Sequence, residues 1–181
     1  MKEGTVYREF SAKDGLDVTL RAPRWSDLDD LLLFINALVL EGAEITRDAV
    51  TTRNEEASWL SRHLVAVERD KRAAVVAEVD GHCVGQLEVE PGKGYCSHVG
   101  GVTVALRDGY RDVGIGSEMM AEADVQAKRL GLELLTLEVN ETNARARHVF
   151  EKSGFAEVGR VPRAVKMKGM YIDHIIMARE L

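Results

Sequence analysis

The sequence predicts an α/β fold in which hairpin-connected strands come first and a strand–helix–strand–helix unit follows. Three observations carry this. Apolar, β-branched runs such as Ala73 to Val79 and Gly101 to Leu106 read as strands, and they are interleaved with stretches whose apolar residues recur at helical spacing. Asp80-Gly81, set between two apolar runs, is a hairpin turn signal. The run ending at Leu106 passes through a short glycine-containing stretch into Ser117 to Leu130, a long segment with few helix breakers.

The elements follow in chain order. Leu16 to Ala22 alternates as a first strand and Pro23 ends it. Ser26 or Asp27 can cap a helix over Leu28 to Leu40, where apolar residues are nearly continuous. Glu41 to Glu44 reads as a loop. Asn54 to Arg69 is a second helix, with Trp59, Leu60, Leu64 and Val67 on one side. Ala73 to Val79 and Cys83 to Val89 form the hairpin about Asp80-Gly81, and Gly92-Lys93-Gly94 turns the chain into a strand over Tyr95 to Leu106. After the long helix, Gly131 stops it, Leu132 to Val139 is a buried strand, Asn143 to Lys152 is a short helix ended by Ser153-Gly154, and Tyr171 to Met177 is the last strand.

Composition narrows the function classes. With 181 residues, 45% hydrophobic content and 3 prolines, the chain is expected to form one domain, residues 1–181, with a sizeable core. No apolar run is long enough to span a bilayer, and Met1-Lys2-Glu3-Gly4 lacks the start of a secretory signal, so the expected location is cytoplasmic. A net charge of −6 opposes binding to nucleic acid or anionic lipid and favours a cationic acceptor. Cys83 and Cys96 have no CxxC spacing and no cluster of histidines beside them; both are read as reduced core residues, and no metal is implied.

Arg111-Asp112-Val113-Gly114-Ile115-Gly116 is the most informative stretch. The first turn of the helix it opens has backbone N–H groups without intrahelical partners, and the macrodipole adds partial positive charge there. A pyrophosphate can accept those hydrogen bonds, and Gly114 and Gly116, lacking Cβ, let the backbone come close to it. A dinucleotide fingerprint would need a third glycine where Met119 stands, and a Walker A loop would need Gly-Lys-Ser/Thr, which is absent. A tight strand-to-helix turn without a ligand is the remaining alternative.

Together, Val102 to Gly116 and Leu137 to Phe155 resemble the GNAT superfamily of acyl-coenzyme A dependent N-acyltransferases. The first is similar to the coenzyme motif, an apolar strand followed by Arg/Gln-x-x-Gly-x-Gly/Ala. The second, Leu137-Glu138-Val139, Asn143-Ala144 and Phe150-Glu151-Lys152-Ser153-Gly154-Phe155, is similar to the motif that follows it, and most closely to that of the ribosomal-protein amino-terminal acetyltransferases. The resemblance covers Ala73 to Leu181 by motif and the first third by element order alone. It implies a mixed central sheet of about six or seven strands, flanked by helices and splayed at the coenzyme site. It also implies acetyl-CoA as cosubstrate and direct attack of an amine on the thioester. Backbone groups of Val102, Val104 and Leu106 would then pair with the pantetheine arm, and Arg111, Asp112, Val113, Gly114, Ile115, Gly116 and Ser117 would hold the pyrophosphate. Asn143 would bond the arm, cap its helix, or do both. Arg145, Arg147 and Lys152 would meet the nucleotide phosphates or remain solvated.

An alkylammonium with a pKa near 10.4 must lose a proton before it attacks. Glu138 matches the family's catalytic glutamate and, facing away from Leu137 and Val139 by strand alternation, would point into the cleft; the other reading is a solvated carboxylate at a strand end. Glu88 and His98 are further base candidates. Relatives commonly carry Tyr where this chain has Phe150, and that hydroxyl is thought to protonate the leaving thiolate; Tyr95, Tyr171 or water would have to stand in. The implied function is N-acetyl transfer to a peptide amino terminus, a lysine or a small amine. Glu41 and Glu44 are either part of a site for a cationic acceptor or plain surface residues. A noncatalytic acyl-CoA sensing module and transfer of a longer acyl group are the alternatives, and a homodimer is compatible with the family.

Overall fold

The computed structural model describes residues 2–181; Met1 lies outside the described residues. Eight strands form one sheet: β1 (Val6–Ser11), β2 (Asp17–Arg21), β3 (Ala73–Val79), β4 (His82–Pro91), β5 (Val99–Leu106), β6 (Leu134–Asn140), β7 (Ala156–Met167) and β8 (Met170–Glu180). Four helices accompany them: α1 (Leu28–Glu41), α2 (Arg53–Glu68), α3 (Ile115–Arg129) and α4 (Ala144–Lys152). The strand order is β1-β2-β3-β4-β5-β6-β8-β7, antiparallel throughout except for the parallel β5–β6 pair.

Side-chain alternation divides β3 between two cores. Ala73, Val75, Ala77 and Val79 join Ile115, Met119, Met120, Ala123 and Ala127 of α3 in the larger core, which also takes Phe150 from α4. Val76 faces the opposite way and packs with Leu28, Leu31 and Leu60 from the α1/α2 side. The helices begin and end as their sequences allow. Thr52 and Glu55 make a reciprocal capping box at the start of α2, and α1 stops at Gly42, which takes the left-handed φ of 68°.

The sheet opens between β5 and β6. Their ladder covers only Val99 to Gly101 against Leu134 to Thr136. Beyond it, β5 stays with β4 as far as Leu106 opposite Gly85, while β6 stays with β8 as far as Asn140 opposite His174. This is the expected splay. The strand at its start is shorter than predicted: residues 94–96 form a 3-10 turn, so β5 begins at Val99, not Tyr95.

The sheet has eight strands against the six or seven expected, because both outermost strands were hidden in the sequence. In β1 most positions face solvent, and only Tyr7 and Phe10 turn inward against the core. β7 is an exposed edge strand that breaks register between Val161 and Val165, where it contains Pro162 and where Arg163 takes a φ of 57°. The cysteines also need a correction. Cys83 is buried, as expected, but Cys96 is exposed in the turn before β5. Among the described residues, no helix is long and apolar enough to cross a membrane, and no cluster of His, Cys, Asp and Glu could hold a metal ion.

Candidate active site

A cavity of about 710 Å³ lies where β5 ends, α3 begins and α4 comes alongside. Asp112 and Gly114 both take left-handed φ values, 66° and 100°, so the chain reverses sharply into α3. The Gly114 carbonyl accepts the Ser117 and Glu118 N–H groups at 3.1 and 3.2 Å and starts the helix. The amides just ahead of Ser117 belong to the first turn, where no intrahelical acceptor exists. Gly116 leaves its side open: a Cβ there would touch Leu106 at 3.4 Å.

Of the residues expected to hold the coenzyme, Val104, Leu106, Arg111, Asp112, Gly114, Gly116, Ser117 and Asn143 line this cavity. Val102, Val113 and Ile115 do not. The side chains of Val102 and Ile115 are buried in the larger core, and the Val113 carbonyl accepts the Lys13 N–H at 2.9 Å. Arg111 does not point freely into the cavity: its Nε donates to the Leu106 carbonyl at 2.8 Å and its guanidinium meets Glu41. Asn143 caps α4, its side-chain oxygen accepting from the Ala146 N–H at 3.1 Å. Arg145, paired with Asp112 at 3.0 Å, and Lys152 line the cavity, whereas Arg147 lies outside its lining and faces Glu151 at 3.9 Å. Sequence reasoning missed Lys13, whose side chain lies over Gly114, with Cγ and Cε both 3.9 Å from the position a Cβ would take. Nothing in the local sequence marks it, because the β1–β2 turn reaches the loop only through the sheet.

This cavity suits a nucleotide thioester. Cations from Lys13, Arg145 and Lys152 stand around a helix N-terminus, next to the open edge of β5. A second cavity, of about 260 Å³, adjoins it: Leu38, Ile45 and Ala105 line both. The second cavity is bounded by α1, α2 and the β4–β5 face, with Arg47, Glu56, Trp59, Gln86, Glu88 and Thr103 among its lining residues.

The base candidates are spread apart. Glu88 lines the second cavity and is bound by Arg72 at 2.5 Å, by His63 at 3.2 Å and by Gln86 at 2.8 Å. Glu138 lines neither cavity; its side chain is 64% exposed, 3.4 Å from Nδ1 of His174. Leu137 and Val139 are buried in the core, so Glu138 faces the side of the sheet carrying Thr103 and Glu88. His98 is exposed, and its backbone carbonyl receives the N–H groups of Glu133 and Leu134. Glu56 was not singled out from sequence. Burial raises its carboxyl pKa, Arg47 and His63 pull it back, and Glu88 raises it further. Phe150 is buried at the wall of the first cavity, while Tyr95 and Tyr171 lie outside both cavities. Glu41 and Glu44 line the first cavity, and Glu44 accepts from the Thr142 hydroxyl at 2.5 Å.

The profile of the family described as Acetyltransferase (GNAT) matches residues 41–155. The chain belongs to the GNAT acetyltransferase family. It is an acetyl-CoA-dependent N-acetyltransferase, and acetyl-CoA is its cosubstrate. It is 27% identical over 167 residues to a Bacillus subtilis (strain 168) protein, YwnH, named as a candidate phosphinothricin acetyltransferase, covering 91% of this chain and 99% of that one. Its fold is shared with a ribosomal-protein-alanine N-acetyltransferase from Brucella melitensis, at a TM-score of 0.79 and 24% identity over 90% of this chain and 99% of that chain. It is shared equally with a GNAT superfamily phosphinothricin acetyltransferase from Sinorhizobium meliloti solved in complex with acetyl-CoA. There the TM-score is 0.79 and the identity 17%, over 91% of this chain and 88% of that chain.

Proposed function

We propose that this acetyltransferase, with residues 1–181 working as one domain, acetylates a small primary amine held in the second cavity. The observation that carries this is the meeting of the two cavities at Leu38, Ile45 and Ala105. An acceptor on one side of that junction faces a coenzyme on the other. At about 260 Å³ the second cavity falls just below the range of drug-sized ligand sites, so it suits a compact amine better than a folded protein's amino terminus. The name of the Bacillus subtilis relative, after a small amine-bearing compound, favours the same acceptor class.

On this reading the first-turn amides of α3 bind the pyrophosphate, with Lys13 and Arg145 beside them. Backbone groups of Val104 and Leu106, which line the cavity, pair with the pantetheine arm in the gap where β5 has lost β6. Asn143 caps α4 through its oxygen and has its amide NH₂ left to donate to that arm. Acetyl-CoA supplies an acetyl group activated as a thioester. A β5 backbone N–H polarises the carbonyl. Glu138, open to solvent on the acceptor side of the sheet, takes the amine's proton through water.

A screen of acetyl transfer with mass detection of product tests the acceptor class. Small primary amines and amino acids should be acetylated in preference to peptides with free amino termini. Product confined to peptide amino termini, or none with any small amine, would overturn it.

A further inference from the structure

Two carboxylates line the second cavity in opposite circumstances. Glu88 is fully engaged, with Arg72 and His63 at Oε2 and the Gln86 amide at Oε1. Glu56, on α2, is only 5% exposed and makes no side-chain hydrogen bond or ion pair among the described residues. A carboxylate largely withdrawn from water, open only to the cavity and without a protein partner, costs free energy. The same buried face of α2 carries Leu60 and Val67, so packing alone would be met by an apolar side chain at this position.

The groups around Glu56 do not neutralise it. Arg47, in the α1–α2 connection, favours its ionised form from beyond ion-pair distance. His63, on the same helix, is stacked on Trp59 and bonded to the Trp59 carbonyl and to Glu88. Glu88, on β4, repels it, and the positive charge of Arg72 is already shared between Glu88 and Glu90. What Glu56 lacks is a cation that can enter the cavity.

We propose that Glu56 is the residue that binds the acceptor's ammonium group, selecting primary alkylammonium ions over neutral or anionic molecules of the same size. This rests on reading the second cavity as the acceptor's. A compact –NH₃⁺ offers three donors and fills the vacant side of the carboxylate. Glu88, already satisfied, forms the wall behind it.

The test uses n-butylammonium chloride as probe, with sodium chloride at equal ionic strength and sodium butyrate as controls, read by thermal unfolding of the intact protein. n-Butylammonium should raise the wild-type Tm above both controls, and its affinity, taken from the concentration dependence, should fall at least about tenfold in Glu56→Gln. The wild-type gain should shrink as pH is lowered and Glu56 takes up a proton. Equal gains in the two proteins, or no gain in wild type, would overturn the proposal. Glu56→Gln keeps the shape of the side chain and removes a buried charge, so it is expected to fold. Failure of the acetyl-transfer screen with butylammonium binding intact removes the acceptor reading and leaves Glu56 as an ammonium-binding residue only. Equal binding by the two proteins does the reverse.

Discussion

The guanidinium of Arg111 is bonded to the carboxylate of Glu41, at the end of α1, while its Nε holds the Leu106 carbonyl at the end of β5. The arginine of the loop before α3 thus ties two walls of the first cavity together, and its charge is already shared. Lys13, reaching the same loop from the β1–β2 turn, has no such side-chain tie among the described residues. Lys13→Ala should therefore weaken acetyl-CoA binding about tenfold, the scale of one hydrogen bond to a charged group, with a loss that diminishes at high salt. Calorimetric titration at two ionic strengths checks this, and unchanged affinity at low salt would remove Lys13 from the site.

Gly114 starts α3 at a φ of 100°, a value that side-chain-bearing residues rarely adopt. Gly114→Glu adds backbone strain and sets a carboxylate at the proposed phosphate site. Acetyl-CoA affinity should fall by more than tenfold, about 1.4 kcal/mol, while circular dichroism stays native. Wild-type affinity in this variant would leave the helix N-terminus without a role in binding.

Glu138→Gln should lower kcat by about 10²- to 10⁴-fold with coenzyme binding retained, the usual worth of general-base assistance. A kcat within a few-fold of wild type would assign the proton to another group. Phe150→Tyr, at the wall of the coenzyme cavity, should leave turnover unchanged or raise it, since Phe cannot protonate the thiolate. A large drop in kcat with normal coenzyme binding would contradict that.

The pKa of Glu56 is raised in the folded protein, burial being the main cause. The sign follows from linkage: a raised carboxyl pKa stabilises the fold below its unfolded value, and that contribution is lost as pH rises through the folded value. Glu56→Gln should therefore raise Tm near pH 8, by about 2–4 °C for each 1 kcal/mol relieved, and change it little near pH 4. Scanning calorimetry at the two pH values measures the difference. An equal Tm change at both would mean that the charge is not what matters.

The thiols should differ in reactivity. Cys83 is buried, with its pKa pushed far up by desolvation, whereas Cys96 is exposed. Iodoacetamide at mildly alkaline pH should add one label to the native protein and two after denaturation, read by intact mass. Two labels on native protein would mean that Cys83 opens readily to solvent.

The local signals in this chain were strong wherever a segment's surroundings are written into its own residues. Asp80-Gly81 fixed a hairpin, the buried strand over Leu134–Asn140 showed in its apolar run, and the glycines at 114 and 116 marked the sharp turn from β5 into α3. β1 and β7 escaped because an edge strand buries little, so no alternation is needed, and their partners are chosen by distant strands. The same limit holds at the site. Motif spacing drew attention to the loop and Asn143, but Lys13 over Gly114, Arg111 tied to Glu41, and Glu56, unpartnered among the described residues, beside Glu88 depend on contacts between elements far apart in sequence. Local propensity acts over a few residues; which charges meet is decided by packing, and only the folded sheet and its helices determine that.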